Sequence, residues 1–379
     1  MSADIYENIK DKIDKKAGMV NRGNWGRIKS VMNRAAKGEP VNIAFLGGSI
    51  TQGCNATTHE GCYAYLTYEW FKSKYPDSDV TYINAGIGGT TSQFGVSRVD
   101  KDVFSKKPDM VFVEFSVNDE NTDFFKETYE GLVRHIYYHE SKPAVMLIHN
   151  IQYDNGFTSF EKHIEIGKYY NLPSVSIITT VYDAMKKGVM ASLDITTDNL
   201  HPNDAGHKLL RDVITYYLNE IDKDRVNEED SFEEVLKPLT ENEYEKSVRY
   251  QCMDITAVKD GFTDDTREKE YFTDNFKGGW ITKKQGASIT FNVKGSGVAV
   301  QYRQTPNKPA PVAKAVIDGD EEKAVILDGN FTQDWGDNLA ISNILVHGEN
   351  KDHELKITIT EAHDDDKSDF YLLSVIASE

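Results

Sequence analysis

An α/β domain built on a parallel sheet, followed by an all-β sandwich, is the fold class this sequence predicts. Three observations lead there. Short continuous apolar runs alternate with helix-spaced segments over the first 220 or so residues. A charged, Pro-interrupted stretch follows at 222–247. From Thr256 onward the helical period vanishes, and alternating stretches are separated by Gly, Asn and Asp turns.

The elements follow in order. Two helices, over about 5–15 and 24–36, precede the first strand. Residues 41–46 (VNIAFL), 80–84 (VTYIN), 110–115 (MVFVEF), 144–149 (AVMLIH) and 175–178 (VSII) are rich in β-branched and aromatic residues. Such uninterrupted runs read as strands buried on both faces. Segments 63–75, 92–104, 124–138 and 204–221 carry helical spacing between them. Beyond the break, 289–293 (ITFNV), 298–302 (VAVQY), 314–319 (KAVIDG) and 354–359 (ELKITI) read as sandwich strands. The expected division is a catalytic domain over 1–221, a linker over 222–247 and a sandwich over 248–379.

Composition narrows the function. With 379 residues the chain is long enough for about two to three domains. Lys and Arg number 43 against 61 Asp and Glu, a net charge of −18 with no basic patch, which excludes nucleic acid as the expected partner. No run approaches the roughly 20 apolar residues of a membrane span, so no membrane partner is expected. The start, MSADIYENIKDKIDKK, lacks the pattern of a secretory signal. Cys54, Cys62 and Cys252 make an odd count, which points to a reducing, cytoplasmic compartment while leaving a Cys54–Cys62 pairing open. The oligomeric state is not readable, and a homo-oligomer stays open.

In a parallel sheet, ligands sit beyond the carboxyl ends of the strands. Four segments should converge there: GGSITQG (47–53), AGIGGTTS (85–92), SVND (116–119) and DNLHPNDAGH (198–207). They supply the parts of an acyl-transfer site. Ser49 needs a base to take its proton. His201 provides one, and Asp198, three residues earlier, fixes its tautomer. The Ser49 amide, the Gly89 amide and the Asn118 side chain are candidate oxyanion donors. Gly88 competes for the role of Gly89, which we prefer. Asn118 has a rival reading as the cap of the next helix, which Asp119 could take over instead.

Together these residues resemble the sequence blocks of the SGNH hydrolases, the large branch of GDSL-type esterases and lipases, over residues 41–221. Ser49 matches the nucleophile, Gly89 the glycine of the second block, Asn118 the asparagine of the third, and Asp198 with His201 the D-x-x-H-P block. Two departures stand out: Gly-Gly-Ser replaces Gly-Asp-Ser, and Ser-Val-Asn-Asp replaces Gly-x-Asn-Asp. The resemblance implies a flavodoxin-like sheet and a metal-independent serine esterase without cofactor. With a trailing sandwich, the chain is most similar to carbohydrate esterase family 17, the acetylmannan esterases. Their C-terminal module resembles carbohydrate-binding module family 35 and is expected to be jelly-roll-like. That likeness implies an acetylated oligosaccharide as substrate, with axial 2-O-acetyl groups on mannose. The alternatives are a lipase or thioesterase on the same scaffold, and a non-catalytic carbohydrate-binding protein.

The remaining residues admit competing readings. Gly47–Ser49 fails as a P-loop, because Cys54 rather than Lys follows Gly53. Asp198, His201, Asp204 and His207 form a conceivable metal set, but His207 falls on the helix face of Leu209, Leu210 and Val213. No metal is therefore expected at the site, and no carboxylate cluster demands calcium in the sandwich. His149, at a strand end, is a minor pocket candidate. Trp280 reads as sandwich core, whereas Trp335, in GNFTQDWGDN, reads as a loop residue able to stack on a sugar or lean over the cleft.

Overall fold

The computed structural model describes residues 2–224, 235–271 and 274–379. The acidic run at 228–234 lies outside them. The chain divides into two compact units, Met1–Asn242 and Glu243–Glu379.

Unit 1 is a three-layer α/β domain. Its strands are β1 (Met19–Asn21), β2 (Val41–Gly47), β3 (Val80–Gly86), β4 (Met110–Glu114), β5 (Ala144–His149) and β6 (Ser174–Ser176). They lie in the order β1-β6-β5-β4-β2-β3, and all but β1 run parallel. Counted from β2, that is the flavodoxin-like order 2-1-3-4-5, whose switch point falls between β2 and β4. The helices are α1 (Ser2–Ile9), α2 (Gly26–Ala36), the single turn α3 (Ser49–Gln52), α4 (Tyr63–Lys74), α5 (Ser92–Asp102), α6 (Asp123–Tyr137) and α7 (Phe160–Tyr169). Two short turns, α8 (Asp183–Lys186) and α9 (Ser192–Ile195), precede the long α10 (Asp204–Lys223). The central strands are the continuous apolar runs: β4 and β5 are buried throughout. Ile43, Phe45, Phe112, Met146 and Ile148 join Leu209, Val213 and Tyr217 of α10 in one core.

Several features differ from the sequence reading, among them helix α7, which was not expected. Val80–Gly86 is not covered on both faces; as the edge strand it leaves Thr81 exposed and Tyr82 half-buried. The opposite edge is closed by β1, where Met19 pairs antiparallel with Val175, and no strand was expected in that polar segment. The predicted linker is partly tethered: buried Glu130 on α6 accepts the Leu239 and Thr240 amides at 2.6 and 2.8 Å, and Arg134 donates to the Leu236 carbonyl at 2.7 Å. Among the described residues, no helix is long and apolar enough to cross a membrane.

Unit 2 is all-β. One sheet has the path β15 (Asn338–Leu345), β12 (Gly297–Gln304), β17 (Phe370–Ser378), β10 (Trp280–Thr282) and β9 (Thr263–Asp264), with β7 (Val248–Tyr250) beside β17; the other runs β14 (Val325–Asp328), β13 (Val312–Ile317), β16 (Lys351–Glu361), β11 (Ser288–Gly295) and β8 (Ala257–Asp260). β11 pairs antiparallel with β16, and β12 with β17. Alternate residues of neighbouring strands, such as Ile289, Phe291 and Val293 on β11 beside Leu355, Ile357 and Ile359 on β16, belong to the core of unit 2. Trp280 belongs there, 4.9 Å edge-on to Phe291.

Candidate active site

Ser49 opens α3 directly after β2, on one side of the switch point, and Asn118 follows β4 on the other. The loop before α10 brings the histidine. Asn203 accepts the Ala205 and Gly206 amides at 3.0 and 3.2 Å, capping α10 and fixing where His201 leaves the loop. Asn199 adopts a left-handed backbone (φ 63°), which asparagine tolerates. That kink folds the chain over Asp198, whose Oδ1 accepts the Leu200 and His201 amides at 3.0 and 2.7 Å. Asp198 Oδ2 lies 2.6 Å from His201 Nδ1, and His201 Nε2 lies 2.8 Å from Ser49 Oγ.

Three side chains from two distant segments thus form one hydrogen-bonded line. An ionised carboxylate only accepts, so Nδ1 carries the hydrogen and Nε2 is left to receive the Ser49 proton. Partial burial pushes the Asp198 carboxyl up, but the His201 ring and amide and the Leu200 amide outweigh it and hold it below the ordinary value. The carboxylate therefore stays charged when a proton arrives on the ring.

The candidate donors lie around Ser49. Its own N–H has no hydrogen-bond partner among the described residues. Gly88 and Gly89 separate cleanly: Gln52 Oε1 takes the Gly88 N–H at 2.6 Å, whereas the Gly89 N–H has no partner among the described residues. Gly89 has φ 68°, a conformation that disfavours a side chain. Asn118 stands over Gly48, where an added Cβ would come within 2.3 Å of Asn118 Oδ1. This accounts for glycine in the middle of Gly-Gly-Ser: the asparagine fills the space a side chain would take.

Neither Asn118 nor Asp119 caps the helix that follows. The Thr122 hydroxyl accepts the Phe125 amide at 3.4 Å and does so instead. His149 is fully enclosed beside Phe160, and burial pushes its pKa well down, so it is a core residue rather than a pocket one. His207 is a clip: Nδ1 accepts the Tyr63 amide and Nε2 donates to the Cys54 carbonyl, both at 3.2 Å. Both of its nitrogens are thus taken by backbone, which ties α10 to the nucleophile loop.

Two supporting residues have roles that the sequence reading did not assign. Asn84 links the edge strand to α3 through the Thr51 carbonyl (2.9 Å), and Asp204 accepts the Thr57 amide and hydroxyl at 2.8 and 2.7 Å. An asparagine just before AGIGG is the one signal that pointed toward the first. In unit 2, Trp335 is 56% exposed, unlike most tryptophans, and packs edge-on against Phe331 at 5.0 Å.

Residues 45–209 match the GDSL-like lipase/acylhydrolase family. A solved two-domain esterase active on acetylated mannans is 51% identical with a TM-score of 0.95, covering 97% of this chain and 99% of that one. The esterase of the same description co-crystallised with mannopentaose is 51% identical with a TM-score of 0.93, covering 97% and 98%. An acetylxylan esterase from Geobacillus stearothermophilus is 25% identical over 203 residues, 46% of this chain and 91% of that protein.

Proposed function

The chain belongs to the GDSL-like lipase/acylhydrolase family, and from that premise we propose that it removes O-acetyl groups from mannooligosaccharides, at axial 2-O positions, through an acetyl-enzyme. The single observation that carries this reading is the line Asp198–His201–Ser49, with contacts of 2.6 and 2.8 Å. The likeness to a mannan-active two-domain esterase over nearly its full length supports the choice of sugar.

Ser49 Oγ attacks the acetyl carbonyl carbon while its proton passes to His201 Nε2. The carbonyl oxygen becomes an oxyanion, held by the Ser49 and Gly89 amides and the Asn118 side-chain amide. As the tetrahedral centre collapses, His201 returns the proton to the departing sugar oxygen, leaving acetyl on Ser49. Water then repeats the sequence: His201 takes its proton, the hydroxide attacks the acetyl carbon, and acetate leaves as Ser49 regains the hydrogen. Asp198 keeps the imidazole in one tautomer and offsets its positive charge in both half-reactions.

In unit 2, exposed Trp335 is the proposed sugar-stacking residue. The cysteines Cys54, Cys62 and Cys252 are all free, which fits a reducing compartment, and we place the protein in the cytoplasm.

Mass spectrometry of acetylated manno- and xylo-oligosaccharides before and after treatment tests the function. Loss of acetyl mass from the manno series, with free acetate accumulating, is expected. Rising activity with acyl chain length on p-nitrophenyl esters would instead mark a lipase. Glycan binding without any turnover would overturn the enzymatic reading.

A further inference from the structure

Asn118 is aimed without bonds of its own. Its Oδ1 is buried and has no hydrogen-bond partner among the described residues. The direction of its amide is therefore set by its backbone, a tight turn at 115–119 in which the Asn118 and Asp119 amides both donate to the Phe115 carbonyl at 3.0 Å.

That turn is clamped by its last residue. Asp119 is fully buried; Oδ1 accepts the Ser92 amide at the start of α5 at 2.8 Å, and Oδ2 lies 3.1 Å from His163 Nε2 on α7. His163 is equally enclosed, and its ring lies flat on Tyr129 of α6, centroids 3.6 Å apart at 4°. The start of α7 grips the same turn: Ser159 donates to the Ser116 carbonyl from its amide at 2.8 Å and its hydroxyl at 3.1 Å. α5 and α7 thus hold the turn that presents Asn118, with an Asp–His contact at the centre that α6 backs through Tyr129. None of these groups touches the Ser49–His201–Asp198 line.

We propose that the buried Asp119–His163 pair is a positioning device for Asn118, holding its amide where the developing oxyanion needs it. This rests on the reading of Asn118 as an oxyanion donor. A buried carboxylate stripped of one donor is left under-compensated and draws its surroundings toward a new partner. The nearest freedom to move is its own turn, which carries Asn118. Catalysis is sensitive to such drift, since a misplacement of about 1 Å costs on the order of 10²-fold in rate.

The test is a comparison of backgrounds, read as kcat and KM on p-nitrophenyl acetate with thermal melting to verify folding. His163→Leu should lower kcat by on the order of 10²-fold, approaching the roughly 10²–10³-fold loss expected for Asn118→Ala. His163→Gln, whose amide can still donate, should recover most of that rate. In the Asn118→Ala background, His163→Leu should cost little more. Asp119→Asn, which keeps an acceptor for the Ser92 amide but loses the charge, serves if the leucine variant does not fold. Equal losses in both backgrounds would show that the pair does not act through Asn118 and would overturn the proposal. So would a folded His163→Leu enzyme at full rate. Asn118→Ala at full rate would remove the oxyanion premise itself, an outcome distinct from the other two.

Discussion

Two of the aspartate–histidine pairs in unit 1 differ in almost everything except chemistry. Asp198 and His201 share one loop at the rim, with side-chain exposures of 45% and 23%. Asp119 and His163 come from a turn and a helix, and both side chains are fully enclosed. A histidine that passes protons must reach substrate and water, and the rim leaves its Nε2 facing Ser49. A histidine that only holds needs no such access. Burial, not residue identity, separates the two tasks.

The largest effect that could break this contrast is at the rim. Ser49→Ala should cost on the order of 10⁶ in kcat, measured on p-nitrophenyl acetate; near-native turnover would leave the exposed pair with no reaction to serve. Asp198→Asn should cost about 10⁴, because the ring is then free to adopt the wrong tautomer. A loss of only a few-fold would make the rim pair no more demanding than a structural one.

The enclosed groups should speak through stability instead. Burial pushes His207 down to about 4, against about 6.5 in the unfolded chain. Its folded value is depressed, so the unfolded state binds the extra proton. Stability is intact above about pH 6.5 and drains as pH falls toward 4, by about 3 kcal/mol. Glu114, wholly buried behind the Asn118 turn, has the opposite sign. Burial lifts its carboxyl to about 7, against an unfolded value of about 4.3. That contribution is whole below about pH 4.3 and drains as pH rises through 7. Relative to wild-type protein, His207→Gln should therefore lose less Tm on acidification, and Glu114→Gln less as pH rises from about 5 to 7. Calorimetry from about pH 4 to 7 decides both; variant curves parallel to wild type would contradict both assignments.

The smallest effect is expected from unit 2. Trp335→Ala should raise KM for a mannooligosaccharide several-fold and leave kcat and p-nitrophenyl acetate turnover unchanged. A fall in kcat on both substrates would move that residue out of a sugar-contact role.

Much of this was legible beforehand, for a physical reason. Continuous apolar runs identified β2, β4 and β5 because strands enclosed on both faces must be apolar at every position. Their order in the chain then placed Ser49, Asn118 and His201 at one sheet edge. What escaped was pairing. Periodicity reports burial, not neighbours, so edge strand β3 read as interior and β1, too short and polar for a period, did not read at all. Similarly, Asn118 and Asp119 both have cap chemistry, and only the fold shows Thr122 taking that task. The partnership of Asp119 with His163 joins residues 44 apart in sequence, with no motif linking them. The motif alone favours Gly89 over Gly88, but the physical reason, a glutamine side chain occupying the Gly88 amide, is one that only the fold displays.

Covalent trapping is the most direct test of the central claim, that Ser49 is a nucleophile activated by His201. The protein is treated with a serine-reactive phosphonate ester and the peptides are mapped by mass spectrometry, alongside His201→Ala. A single phosphonylated residue at Ser49, lost or greatly slowed when His201 is removed, is the predicted result. Labelling elsewhere, or at Ser49 with undiminished speed in His201→Ala, would contradict it.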